Sequence, residues 1–201
     1  MRVLALLLAL AAAPASDFSI VPGIRFGPIH ETATLGDLVT AFPPGTVEDA
    51  DVYLGEGFCA PGTRVFGGTP DEIEVTWQDR ARTRIAFVRL QKPGGRWSTT
   101  RGVRIGTSLT ELERLAGRIL TFSGFGWDYG GGMQWSEAGG AVGLRLTMGD
   151  AAKAGLTGQE LESIQGDKPV RSNVPAARRL NITVAEIVMS WGNPAGDHDC
   201  R

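Results

Sequence analysis

The chain has 201 residues, of which 42% are hydrophobic and 21% charged, with a formal net charge of −2. This is the balance of a folded globular protein; it excludes a disordered or fibrous chain and supplies no overall drive toward nucleic acid or an anionic membrane. Glycine, at 28 residues, is about twice its usual ~7% share without the third-residue period of collagen, so many tight turns and bulges are expected.

Residues 1–15 read as a secretory signal. Arg2 supplies the charged start, Val3 to Ala12 an unbroken apolar run, and Ala13-Pro14-Ala15 a small-x-small cleavage site, so the mature chain is expected to begin at Ser16 or Asp17. The apolar run is too short to span a bilayer, no later segment approaches the ~20 residues needed, and no cysteine follows the cleavage site to carry a lipid. The expectation is an exported protein, periplasmic or extracellular, with no membrane span. Cys59 and Cys200 are the two cysteines, and an oxidising compartment predicts that they form one disulfide. The alternative is a reactive thiol, which needs a general base or a CxxC partner; neither is evident, although His198 lies close to Cys200.

One short pattern occurs twice. Gly23-Ile24-Arg25-Phe26-Gly27 matches Gly102-Val103-Arg104-Ile105-Gly106, and each precedes a helix start, at Thr34-Leu35-Gly36-Asp37 and Ser108-Leu109-Thr110-Glu111. In both, a hydroxyl at the N-cap can accept the backbone N–H three residues on, and Asp37 or Glu111 can reach back to the cap. The first helix is expected from Thr34 to about Phe42, stopped by Pro43-Pro44, and the second from Ser108 to about Ala116, ended by Gly117. Leu109, Leu112 and Leu115 recur at helical spacing.

After each helix the period switches to two. Ile73, Val75 and Trp77 alternate with polar residues, and a turn at Asp79 to Arg82 leads into a strand from Thr83 to Leu90. In the second half, Ile119 to Phe122, Met133 to Trp135, and Val142 to Met148 read as strands. A turn or short helix at Pro175 to Leu180 precedes a last strand, Ile182 to Trp191. The fold class is therefore α+β, mainly antiparallel sheet with two short capped helices, built from a tandem duplicated unit: residues 16–101, then 102–201 with the C-terminal strand and tail.

Gly106-Thr107-Ser108-Leu109-Thr110-Glu111-Leu112, with Gly117 ending the helix, resembles the helix-opening motif of small envelope domains of the outer-membrane assembly lipoprotein and β-lactamase inhibitory protein type. The resemblance implies short helices packed on an antiparallel sheet and action by binding other proteins rather than by catalysis. It assigns no role to any residue here.

Only His30 and His198 could act as neutral-pH bases, and no G-x-S-x-G, H-E-x-x-H, Walker or paired Cys/His motif is present, so no cofactor or metal is expected. His30 beside Glu31 reads as a surface loop, and Asp197-His198-Asp199 as a solvated tail. The most unusual stretch is Phe122 to Trp135, where Phe125, Trp127 and Tyr129 are interleaved with Gly124, Gly126 and Gly130-Gly131-Gly132. Flat aromatic faces and bare backbone suit a sugar or a partner's side chain, with Asp128 as hydrogen-bond acceptor; the alternative is a coiled hairpin with core aromatics. A second feature is charge segregation. Glu31 to Asp79 carries ten acidic residues and one arginine, Arg80 to Arg104 eight basic residues and no acid. Arg82, Arg84 and Arg89 form an anion-recognising strand, or else neutralise Glu72 and Glu74 across the hairpin. The expected function is an exported non-catalytic binding protein of the cell envelope that recognises a protein or glycan through Phe125, Trp127, Asp128, Tyr129 and these arginines. The alternative is a carboxylate-based envelope hydrolase using Asp128 with Glu137 or Glu31.

Overall fold

The computed structural model describes residues 17–200. The signal reading of residues 1–15 lies outside them. Short strands β1 (Ser19–Val21) and β2 (Arg25–Phe26) lead into helix α1 (Leu35–Ala41). The Thr34 hydroxyl accepts the Asp37 N–H at 3.2 Å, and the Asp37 carboxylate accepts the Thr34 N–H at 2.9 Å. This is the reciprocal cap that the Thr-x-x-Asp spacing predicts. Phe42, extended and followed by two prolines, ends the helix.

Four strands follow as a meander: β3 (Val47–Gly55), β4 (Phe58–Val65), β5 (Ile73–Trp77) and β6 (Ile85–Leu90). The β3–β4 hairpin was not expected. β6 begins later than expected: the Asp79 carboxylate accepts the Thr83 N–H at 3.2 Å, and Arg82 sits at φ 57. Arg82 and Arg84 therefore belong to the turn, and only Arg89 of the three lies on the strand.

Strand β7 (Ser98–Thr99) pairs in parallel with β1, and β2 completes a small three-stranded sheet. Helix α2 (Leu109–Ala116) is capped by Ser108, which accepts the Glu111 N–H at 3.1 Å. Here the glutamate turns to Arg114 instead of back to the cap. Gly117 stops the helix at φ 68, a left-handed value that costs glycine little. Strands β8 (Thr121–Ser123), β9 (Gly132–Glu137) and β10 (Gly140–Thr147) follow. Beyond them come helix α3 (Gly158–Glu162), strand β11 (Pro169–Arg171), helix α4 (Pro175–Arg179), and strands β12 (Thr183–Ser190) and β13 (His198–Asp199). The described residues thus hold four short helices where two were expected. The addition with no forecast is α3, opened by a Thr157–Glu160 capping box.

The main sheet has eight antiparallel strands. Its order is β3-β4-β5-β6-β12-β10-β9, with β13 on the side of β4 opposite β3. Strands from both halves of the chain join where Leu90 of β6 stands opposite Ile187 of β12. One face is packed under the helices. Ile73 and Val75, Val88 and Leu90, Ile187 and Met189, and Val142 and Leu144 alternate inward onto Leu38 of α1 and Leu109 and Leu112 of α2. Burying each such side chain stabilises the fold by about 1.5–3 kcal/mol. Trp97, 1% exposed, closes the core end, with its ring centroid 4.8 Å from Phe18 and 4.9 Å from Phe26.

Candidate functional site

The residues that alternate away from the core make up the other face of the sheet. Glu74, Arg89, Val188, Gly143 and Gln134 lie in one cross-strand row, and Glu186, Arg145 and Gly132 in the next. They floor an open groove of about 1610 Å³. One wall is the tip of the β3–β4 hairpin, with Tyr53 and Phe58 exposed by 54% and 43%; the other is the loop before β9, where Tyr129 is 73% exposed.

The floor is a set of paired charges. Arg89 donates to Glu74 at 2.9 and 2.7 Å and to the Tyr53 carbonyl at 2.7 Å, which ties the floor to the hairpin wall. The buried Glu186 carboxylate accepts Gln91 Nε2 at 2.6 Å and Arg145 Nη2 at 3.0 Å.

The aromatic-glycine stretch divides in two. Phe125 is buried, its ring centroid 5.4 Å from Phe122 in the core, and takes no part in the groove surface. Trp127, Asp128 and Tyr129 line the groove. The Trp127 and Tyr129 rings meet edge to face at 5.2 Å, and Trp127 Nε1 donates to the Gly124 carbonyl at 2.7 Å, fixing the indole. Gly131, at φ 76, lets the loop approach β10 closely: a Cβ there would lie 2.2 Å from the Leu146 carbonyl oxygen. Part of the glycine density thus serves backbone packing.

The arginines are engaged within the chain. Arg82 pairs with Asp49, Arg84 with Glu31 and Arg89 with Glu74, while Lys92 reaches Glu72 and Arg96 reaches Asp71. The acidic and basic runs of the sequence therefore meet and neutralise one another, and of the three arginines singled out only Arg89 lines the groove. The carboxylates named for hydrolysis are not brought together. Asp128 lines the open groove, whereas Glu137 lies on the same, helix-covered face of β9 as the buried Trp135 and accepts its indole N–H at 2.7 Å. Burial alone would raise the Glu137 carboxyl. Hydrogen bonds from the Thr100 and Thr99 hydroxyls, the Trp135 indole and the Arg101 backbone N–H outweigh it and hold the group below its ordinary value. Glu31 is occupied by Arg84.

Cys59 and Cys200 form a disulfide, with Cα atoms 5.1 Å apart. The tail it holds is ordered as β13, where His198 pairs with Cys59 in the ladder and its Nε2 lies 3.5 Å from Asp51. His30 is exposed, its Nδ1 3.2 Å from the Thr32 hydroxyl. Among the described residues no group of three or more His, Cys, Asp or Glu side chains is arranged to hold a metal ion, and no helix is long and apolar enough to cross a membrane.

Of the groove residues, Arg89 and Glu74 are named by the sequence, whereas Tyr53, Phe58, Arg145 and Glu186 are not. A signal existed for Tyr53 and Phe58: Gly55-Glu56-Gly57, flanked by Tyr53-Leu54 and Phe58, is a hairpin turn between apolar residues. No protein family, curated protein or solved structure matches the chain.

Proposed function

We propose that this is an exported, non-catalytic binding protein of the cell envelope or its surroundings, whose ligand lodges on the open face of the sheet. The observation that carries the reading is the one-sided cover of the eight-stranded sheet. Helices bury one face, and the other keeps a groove of about 1610 Å³ between two walls of exposed aromatic rings. Concave sites with a few fixed polar groups and aromatic walls are the ordinary form of a ligand site, and exposed rings supply contact area at small entropic cost. The floor carboxylates and guanidiniums are held in pairs, which suits positioning rather than proton transfer. The disulfide, together with the charged, apolar and small-residue pattern of residues 1–15, supports export.

A tandem duplication accounts for the two Gly-x-Arg-x-Gly segments. In support, Gly23, Gly27, Gly102 and Gly106 all take positive φ, and each segment precedes a capped helix. Resemblance to tandem envelope domains that bind proteins points the same way.

The test is affinity capture from an envelope extract with the mature, disulfide-bonded chain. Tyr129→Ala and Trp127→Ala should abolish capture of the specific partner while the melting transition is retained. Undiminished capture by both variants would sink the reading.

A further inference from the structure

Resting on the groove as the ligand site, we infer that its occupant is a cationic polypeptide segment in which lysine or arginine flanks an apolar side chain. The charge balance of the groove is the first observation. Five carboxylates and two guanidiniums line it, and both guanidiniums are already spent, Arg89 on Glu74 and Arg145 on Glu186. Glu56, Asp128 and Asp197 are exposed and form no ion pair among the described residues. Asp197 also borders a second cleft beside Arg80, whereas Glu56 and Asp128 stand on the two opposing walls. An anionic ligand would be repelled from such a rim, and a cationic one drawn to it.

The second observation is that each wall carries a carboxylate together with aromatic residues: Glu56 with Tyr53 and Phe58 at the hairpin tip, Asp128 with its sequence neighbours Trp127 and Tyr129. An ammonium or guanidinium beside a ring and a carboxylate gains cation–π attraction and charge pairing together. The third lies at the middle of the floor. Val188 and Gly143 stand side by side there, next to Arg89 across the strands and to Glu186 and Arg145 along them, and a Cβ on Gly143 would meet only the Val188 carbonyl oxygen, at 3.7 Å. That uncharged patch of floor, lying between walls that carry Glu56 and Asp128, suits an apolar side chain between two basic ones. A neutral glycan could stack on the same rings but would leave all three carboxylates uncompensated.

Tryptophan fluorescence of the mature, disulfide-bonded chain can follow titration with three probes: an alternating lysine-phenylalanine hexapeptide, its glutamate-phenylalanine counterpart, and a neutral N-acetylglucosamine oligosaccharide. The lysine peptide should bind about tenfold or more tighter than either other probe, and more weakly as salt rises. Gly143→Phe, which fills the groove without removing charge, should abolish its binding. The triple variant Glu56→Gln, Asp128→Asn, Asp197→Asn should weaken it about tenfold. The triple variant changes only exposed residues, so it reports on binding even where the glycine variant folds poorly. Tighter or equal binding of the glutamate peptide or the oligosaccharide overturns the cationic occupant. So does lysine-peptide binding that Gly143→Phe leaves intact, or failure of every probe to bind. The groove itself is judged separately by capture from the envelope extract. Capture lost with Gly143→Phe but kept by the triple variant leaves the groove standing and removes the cationic occupant; capture unaffected by Gly143→Phe removes both.

Discussion

Arg89 and Glu74 face one another across β6 and β5 with side chains only 11% and 18% exposed, and the same guanidinium holds the Tyr53 carbonyl of the hairpin wall. Removing one partner strands a mostly buried charge. Arg89→Met should therefore cost about 2–3 kcal/mol, while the double variant Arg89→Met, Glu74→Met should recover much of that loss, because both charges leave together. Urea denaturation of the three proteins decides it; a double variant less stable than Arg89→Met would contradict the account.

The disulfide joins residues 141 apart in sequence. In the chain-entropy account, a loop of that size lost from the unfolded state is worth about 4–5 kcal/mol. The double variant Cys59→Ser, Cys200→Ser should lose stability of that order in a denaturant titration. Hydrogen exchange should show β13 released before β4, since β13 has only two residues in the ladder.

Glu160 joins α3 to α4. The Arg179 guanidinium, the Thr157 N–H and the Thr157 hydroxyl bring its pKa down from an ordinary 4.5 to about 2. The depressed folded value fixes the sign: the contribution is fully present above the unfolded pKa and is lost as pH falls from about 4.5 toward 2. Glu160→Gln should therefore be less stable than the parent at pH 7, with the gap closing on acidification through that window. A gap that stays constant across the window would show that the ion pair contributes nothing.

Tyr129 is 73% exposed, so Tyr129→Ala should shift stability by no more than about 0.5 kcal/mol. Trp127 is half-buried and hydrogen-bonded to Gly124, so Trp127→Ala should cost about 1 kcal/mol. Denaturation midpoints measured beside the capture assay separate loss of binding from loss of fold.

At the helix ends, Ser108→Ala removes the acceptor for the Glu111 N–H and should cost about 1 kcal/mol. Gly117→Ala forces a Cβ into the left-handed region at φ 68 and should cost a similar amount, about 1 kcal/mol, though nothing crowds that position. Thermal melts of the two single variants test both costs.

The elements that were legible in the sequence are those whose cause is local. The Thr34 and Ser108 caps, the Pro43-Pro44 and Gly117 stops, and the alternation from Ile73 to Trp77 each place an element within a residue or two. The β3–β4 hairpin was not, because β3 is an edge strand with one fully buried side chain, Val52; Glu48, Asp49 and Asp51 obscure the alternation. Those same acids guard the sheet edge against pairing with another chain. Arg82 was misplaced on a strand because the Asp79 bond that holds the turn competes with strand extension. Trp127, Asp128 and Tyr129 could be singled out from composition alone. Of the polar floor only the Glu74–Arg89 pair was within reach, because β5 and β6 are consecutive; Arg145 and Glu186 were not, since β10 and β12 become neighbours of one another and of β6 only in the completed sheet.

The place of β12 in that sheet has a consequence for the order of events as the chain emerges during synthesis. The last long strand lies in the middle, between β6 and β10. Until residues 183–190 arrive, β6 presents an unpaired edge with Val88 and Leu90 on its inner side, and β10 has no partner across from β9. Neither half can close its hydrophobic layer first. Closure of the sheet therefore waits for residues 183–190, and a chain truncated before them should lack the cooperative unfolding transition of the full one.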